Sequence, residues 1–160
     1  MITDYTTYDD IRAALGVESE EISDTTLGLP LYSNYLDGEL EDIDFTLPTV
    51  YQDTKDLITP SDVESRFLKT CELFATFAVA KQLCAALPLF APRKQTDGKA
   101  AVERFDNPYR DTIKMVNEQY GLLRNRLIAA LAAIGTSVVS GTTQSFVTVS
   151  SPSYDPVTGV

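Results

Sequence analysis

Ten consecutive residues, Cys71 to Ala80, carry only Glu72 and Thr76 as polar side chains, and this run constrains the fold more than any other stretch. It lies downstream of Thr59-Pro60-Ser61-Asp62, which reads as a helix start: a capping threonine, proline at the first helical position and an acid in the first turn. The helix is expected to run to about Leu87, where Pro88 stops it. A helix that is apolar nearly all round has no face to offer to water, so it belongs at the centre of a bundle. With 160 residues, 44% of them hydrophobic, the chain has the size of one domain with a single core.

Other helices follow from local signals. Thr7 is expected to cap a helix over Tyr8–Leu15, with Asp9 and Asp10 in its first turn and Gly16 as a left-handed C-terminal cap. Ser23 or Asp24 caps the next segment. From Pro30, the apolar positions Tyr32, Leu36, Leu40 and Ile43 recur at helical spacing, and Asp37, Glu39, Glu41, Asp42 and Asp44 form an acidic, solvated face. Pro48 and Pro60 bracket a region expected to hold a helical turn or two. After a loop with Arg93 and Lys94, and the turn-like Thr96-Asp97-Gly98, a helix is expected from near Lys99, kinked or restarted at Asn107-Pro108. Ile113, Val116, Tyr120, Leu123, Leu127, Ala130 and Ile134 then alternate at spacings of three and four. Such a stripe serves ordinary bundle packing or, alternatively, a dimerising coiled coil. Gly135 is expected to end that helix. The fold class is therefore all-α: a small helical bundle over residues 1–135 with a long central helix, followed by an extended C-terminal arm over 136–160.

Charge divides the chain. Residues 1–64 hold sixteen Asp and Glu against only Arg12 and Lys55, whereas the remainder is net basic, and the whole carries −10. Tight, sequence-specific nucleic-acid binding is not expected, because binding phosphates requires clustered Lys and Arg. The one local basic group, Arg93, Lys94 and Lys99, reads as an exposed loop that could meet an acidic neighbour or DNA. No apolar run reaches the roughly 18 residues of a membrane span, and Met1 to Asp10 lack a secretory pattern, so a cytosolic origin is expected. Cys71 and Cys84 are thirteen residues apart on one helix. That places them roughly 20 Å apart, too far for a disulfide.

Residues 136–160 are rich in Thr, Ser and Val and contain a single charge, Asp155. Disordered tails ordinarily stay solvated through many charges. The segment reads either as a frayed terminus or, since it presents Val138, Val139, Phe146, Val147, Val149 and Tyr154 on strand-forming sequence, as one suited to pairing with another protein's edge or groove.

No catalytic chemistry is legible. Histidine is absent, two separated cysteines cannot make a zinc site, and no phosphate-binding or nucleophile-elbow pattern occurs. Neither an enzyme, nor a cofactor, nor a metal is expected; an acid-dependent enzyme would have to work with carboxylates such as Glu41 and Asp42 alone.

The stretch LFATFAVAKQLCAALPLFAPRKQTDGKAAVERFDNPYRDTIKMVNEQY (Leu73 to Tyr120), with YDDIRAALGV (Tyr8 to Val17), resembles head–tail adaptor, or connector, proteins of tailed phages with podovirus-like necks. The resemblance covers roughly residues 8–130. It implies a helical bundle that forms a ring, usually of twelve copies, beneath the portal after DNA packaging, with DNA passing through its channel. It also implies a C-terminal extension that grips the portal protein and a lower face that receives a tail or nozzle protein. On that reading the chain resides in the virion neck, having assembled in the host cytoplasm, and Thr136 to Val160 is the portal-binding arm. The alternative is a cytosolic helical binding or dimerisation module without catalysis.

Overall fold

Three helix starts, at Thr7, Ser23 and Ser61, are set by short polar side chains that satisfy backbone donors left over in the first turn. The structure, a computed structural model, describes residues 1–85, 94–97, 100–103 and 109–139, with side-chain surroundings for 1–85 and 109–135. After a 3-10 turn at Ile2–Asp4, α1 spans Tyr8–Leu15. The Thr7 hydroxyl accepts from the Asp10 N–H at 3.1 Å, and Gly16, at φ 68°, closes the helix in the left-handed conformation. Ser23 rather than Asp24 caps α2, Asp24–Leu27. Proline opens α3, Pro30–Glu41, and lies in the first turn of α4, Leu47–Lys55, so the segment between Pro48 and Pro60 does contain a helix.

In α5, Asp62–Cys84, the start lies two residues later than Thr59-Pro60 implied. Ser61 is the cap: its hydroxyl accepts from Glu64 N–H at 3.3 Å, while the Glu64 carboxylate accepts from Ser61 N–H at 2.7 Å. This reciprocal box satisfies two donors at once, which a Thr59 cap ahead of Pro60 could not do. The last helix, α6, runs over Arg110–Val139. It passes through Gly135 instead of stopping there. A helical glycine weakens a helix by roughly 1 kcal/mol, which is too little to end one that gains a hydrogen bond with each added residue.

Lys94–Asp97 and Ala100–Glu103 form β1 and β2, an antiparallel pair with Lys94 opposite Glu103 and Asp97 opposite Ala100. A helix was expected from near Lys99; the described backbone of 100–103 is a strand. The Asp97-Gly98 pair, a strong hairpin-turn dipeptide, outweighs the short Ala100-Ala101 helix signal. Apart from this antiparallel pair, the described elements are helical.

The core is organised around α5, as the apolar run requires: α1, α3, α4 and α6 all pack against it. Phe67, Cys71, Phe74, Ala75, Ala78 and Val79 of α5 are fully buried. Around them lie Ile11 and Leu15 of α1, Leu36 and Leu40 of α3, Leu47 and Tyr51 of α4, and Val116, Leu123 and Leu127 of α6. Tyr5 and Tyr51 stack at 4.6 Å between ring centroids, and Phe74 meets Tyr120 at 5.6 Å. Val116, Leu123 and Leu127 of the α6 stripe are thus covered by its own chain, as expected of bundle packing, while Ile113, Tyr120, Ala130 and Ile134 are half-buried. Both cysteines are buried and free.

Candidate functional site

The acidic residues of α3 do not share one solvated face. Glu41 and Asp42 are exposed, Asp37 and Asp44 are half-buried, and Glu39 turns inward with its side chain only 15% exposed. The expectation of a uniformly solvated face is corrected at this position. Glu39 lies within one helical turn of Leu36 and Leu40, so the arc buried by α3 includes it. Its carboxylate accepts from the Tyr35 hydroxyl on one oxygen and from the Tyr120 hydroxyl on the other. Lys81 approaches at 3.5 Å, and its ammonium lies 3.7 Å from the centre of the Tyr120 ring. Side chains from α3, α5 and α6 therefore converge on one carboxylate.

Burial pushes the Glu39 carboxyl up, and the Tyr120 and Tyr35 hydroxyls together with Lys81 more than offset this, leaving it below the usual carboxylate range. Tyr120 is pushed up to about 12 by burial and by its bond to Glu39. Tyr35 is raised by the same two causes. A carboxylate kept ionised with both oxygens already accepting hydrogen bonds is a poor proton donor or base near neutrality. The cluster is a polar clasp that holds three helices in register.

A second polar junction sits at the acidic end. Arg12, nearly buried, donates to Asp24 at 2.7 Å, to Asp9 at 2.9 Å and to the Ile22 carbonyl at 3.1 Å. It thereby neutralises acids on either side of the α1–α2 connection. Asp44, another residue of the acidic group, accepts from the N–H of Thr46 at 2.8 Å and from its hydroxyl at 2.6 Å. These bonds hold its carboxyl below the ordinary range.

Of the residues expected in the basic loop, Lys94 is the first residue of β1 and faces Glu103 in the strand register; Arg93 and Lys99 lie outside the described residues. Of those expected in the arm, Val138 and Val139 are the last two residues of α6, a correction to a boundary placed at 135. Phe146, Val147, Val149 and Tyr154, and the strand tendency of 145–150, lie outside the described residues.

Open grooves mark the surface formed by the described residues. One, of about 730 Å3, runs between the N-terminal segment, α1 and α5, with Tyr5, Thr6, Lys69, Leu73 and Phe77 in its walls. A bond of 2.6 Å between the Thr6 and Thr76 hydroxyls ties its floor. Another, of about 600 Å3, lies between the α3–α4 turn and the C-terminal turns of α6. Among the described residues no cluster of His, Cys, Asp and Glu is arranged to hold a metal, and no helix is long and apolar enough to cross a membrane.

The clasp was missed in the sequence because its members are 35, 39, 81 and 120. Only the four-residue spacing of Tyr35 and Glu39, and a tyrosine within the otherwise aliphatic α6 stripe, pointed to it. Comparison with protein-family models, curated proteins and solved structures finds no match to this chain.

Proposed function

We propose that this chain is a structural subunit of a tailed-phage neck, a head–tail adaptor that joins copies of itself into a ring between portal and tail. The observation that carries the reading is a helical body whose described core is continuous from Ile2 to Leu127, followed from Thr136 by 25 residues with Asp155 as their single charge. A folded body with an uncharged, strand-prone extension is the layout of a protein that completes its binding surface on a partner. The extension supplies the grip on the portal protein. Ordering it against that partner costs on the order of 1–2 kcal/mol of backbone entropy per residue, which strand pairing and apolar burial offset. One copy therefore docks weakly, and lateral contacts in a ring convert weak docking into avid assembly. The strongly acidic N-terminal half faces a neighbour's basic segment or the DNA channel, where like charge prevents the genome from sticking. The tail or nozzle protein takes the opposite face of the ring.

The test mixes purified portal rings with the full-length chain and with a version ending at Val139, which keeps α6 intact. Electron microscopy and sedimentation are expected to show decorated portals with the full chain only, while circular dichroism shows equal helicity per residue of body. Equal portal affinity for both versions, or no binding by the full chain, would overturn the reading.

A further inference from the structure

The turn between α3 and α4 carries a large apolar side chain that its own chain does not cover: Phe45 is 82% exposed. The turn around it is firmly bonded. Asp44 accepts from the Thr46 N–H at 2.8 Å and from the Thr46 hydroxyl at 2.6 Å, and its carbonyl accepts from the Leu47 N–H at 2.9 Å. These bonds span Phe45 and fix the backbone that presents it, so seating the ring against another surface costs little further ordering. A rigidly held, exposed aromatic is the kind of residue that anchors protein contacts.

A seat for such a ring lies on the same rim. Ile43, Val50, Leu131 and Ile134, all half-buried, and Ile128, 41% exposed, wall the groove of about 600 Å3 between this turn and the C-terminal turns of α6. Asp44 is the only charged residue in the wall, and Thr46 already engages it. From Leu127 to Val139, α6 carries no charge at all. Phe45 is not part of the wall, although the residues on either side of it, Asp44 and Thr46, are. What fills the groove has to be apolar and uncharged, and each copy holds out such a side chain beside its own groove.

We propose that Phe45 of one copy enters this groove in a second copy, and the second copy's Phe45 the groove of the first, in a two-fold pair of free chains. Placement of plug and seat on one rim makes the pair reciprocal: once one ring is seated, a two-fold axis brings the other ring to the other groove. An aromatic side chain buries about 150–250 Å2 and covers a like area of wall, so two mostly exposed rings account for on the order of 500–800 Å2 once seated. Ile128, Ala129 and Ala132, exposed on the adjoining turns of α6, extend the contact toward the roughly 1,200 Å2 at which stable interfaces begin. The pair is therefore a weak, concentration-dependent dimer. It does not rest on the phage-neck reading, since self-association of the free chain and its binding to portals are separate measurements.

Sedimentation equilibrium of the full-length chain between about 10 µM and about 1 mM should show a monomer–dimer equilibrium with a dissociation constant on the order of 100 µM. Phe45→Ser, at an exposed position that leaves the core and the helicity intact, should weaken it more than about tenfold, because the two-fold removes both anchors at once. Ile128→Asp should do the same from the groove side. Raising salt to about 0.5 M should not dissociate the pair, because no opposite charges meet in the contact. Deuterated protein with labelled methyl groups is then mixed with unlabelled protein. NOEs between copies are expected from the Phe45 ring to the methyls of Ile128, Leu131 and Ile134. A chain that stays monomeric at the highest concentration, or a dimer that salt disperses, would overturn the proposal. So would an affinity unchanged by Phe45→Ser or by Ile128→Asp, or groove methyls whose NOEs arise only within one copy.

Discussion

Removing the two tyrosine hydroxyls from Glu39 one at a time, and then together, tests whether the clasp holds α3, α5 and α6 in register. In Tyr120→Phe the ring keeps its place against Phe74, at 5.6 Å, and beneath the Lys81 ammonium, at 3.7 Å, so only the hydroxyl bond is lost. A hydrogen bond to a charged group contributes about 1.5–3 kcal/mol. The lower part of that range applies, because Lys81 is 32% exposed and screened, and Glu39 keeps Tyr35 as a second donor. Tyr120→Phe and Tyr35→Phe are therefore each expected to lower stability by about 1.5 kcal/mol. The double variant leaves Glu39 with Lys81 alone, so that burial, which opposes ionisation, is no longer outweighed. Its loss should exceed the sum of the singles by roughly 1 kcal/mol, within the range seen for residues of one network.

The pH dependence gives an independent check. The folded Glu39 carboxyl is held below its ordinary value of 4.5, so its stabilising contribution is fully present above that value. The contribution is lost as pH falls through the depressed folded value. Urea unfolding followed by circular dichroism should thus show the full gap between the native chain and Tyr120→Phe at about pH 7, narrowing as the pH is lowered past 4.5. A gap of the same size at both pH extremes, or strict additivity of the two tyrosine changes, would refute the idea of a shared ionised carboxylate.

The glycines separate a real stop from an apparent one: Gly16→Ala should destabilise by about 1–2 kcal/mol, since φ there is 68°, whereas Gly135→Ala should stabilise by about 0.5–1 kcal/mol, because it lies inside α6 with open space around its missing Cβ. Thermal unfolding reads both signs, and a destabilising Gly135→Ala would mean that α6 stops there after all. Burial pushes the Cys71 thiol up to about 12 and raises Cys84, so neither should react with an aromatic disulfide reagent at about pH 8 until the chain unfolds. Because the Cys71 value is raised from 9.0, the neutral thiol's contribution is complete below pH 9 and disappears as pH climbs through the folded value. Tyr5, pushed by burial to about 12, adds to the same alkaline loss. Rapid labelling of either cysteine in the folded protein, or undiminished stability above pH 11, would contradict the packing of α5.

Features written in neighbouring residues were legible in the sequence. Thr7 and Gly16 bound α1 as their chemistry requires, and the apolar run from Cys71 to Ala80 placed α5 at the centre. The three-and-four spacing put Val116, Leu123 and Leu127 inside. Where two local signals competed, the stronger physical device prevailed over the more familiar pattern. Ser61 with Glu64 satisfies two donors and displaced Thr59-Pro60 as the start of α5. A lone glycine in good helical surroundings failed to stop α6.

The clasp was illegible for a different reason. An acid in a stretch of five acids between Asp37 and Asp44 reads as solvated unless the partners that draw it inward are known, and Lys81 and Tyr120 are 42 and 81 positions away from Glu39. Yet the energetic logic could be read in reverse. A tyrosine placed in an otherwise aliphatic stripe needs an acceptor for its hydroxyl once buried, and a bundle rich in acids on the facing helix offers a carboxylate first. Searching a helical sequence for buried-stripe tyrosines, and then for an acid within a turn of a facing core position, narrows the partners of Tyr120 on α3 to the acids beside Leu36 and Leu40, Glu39 among them.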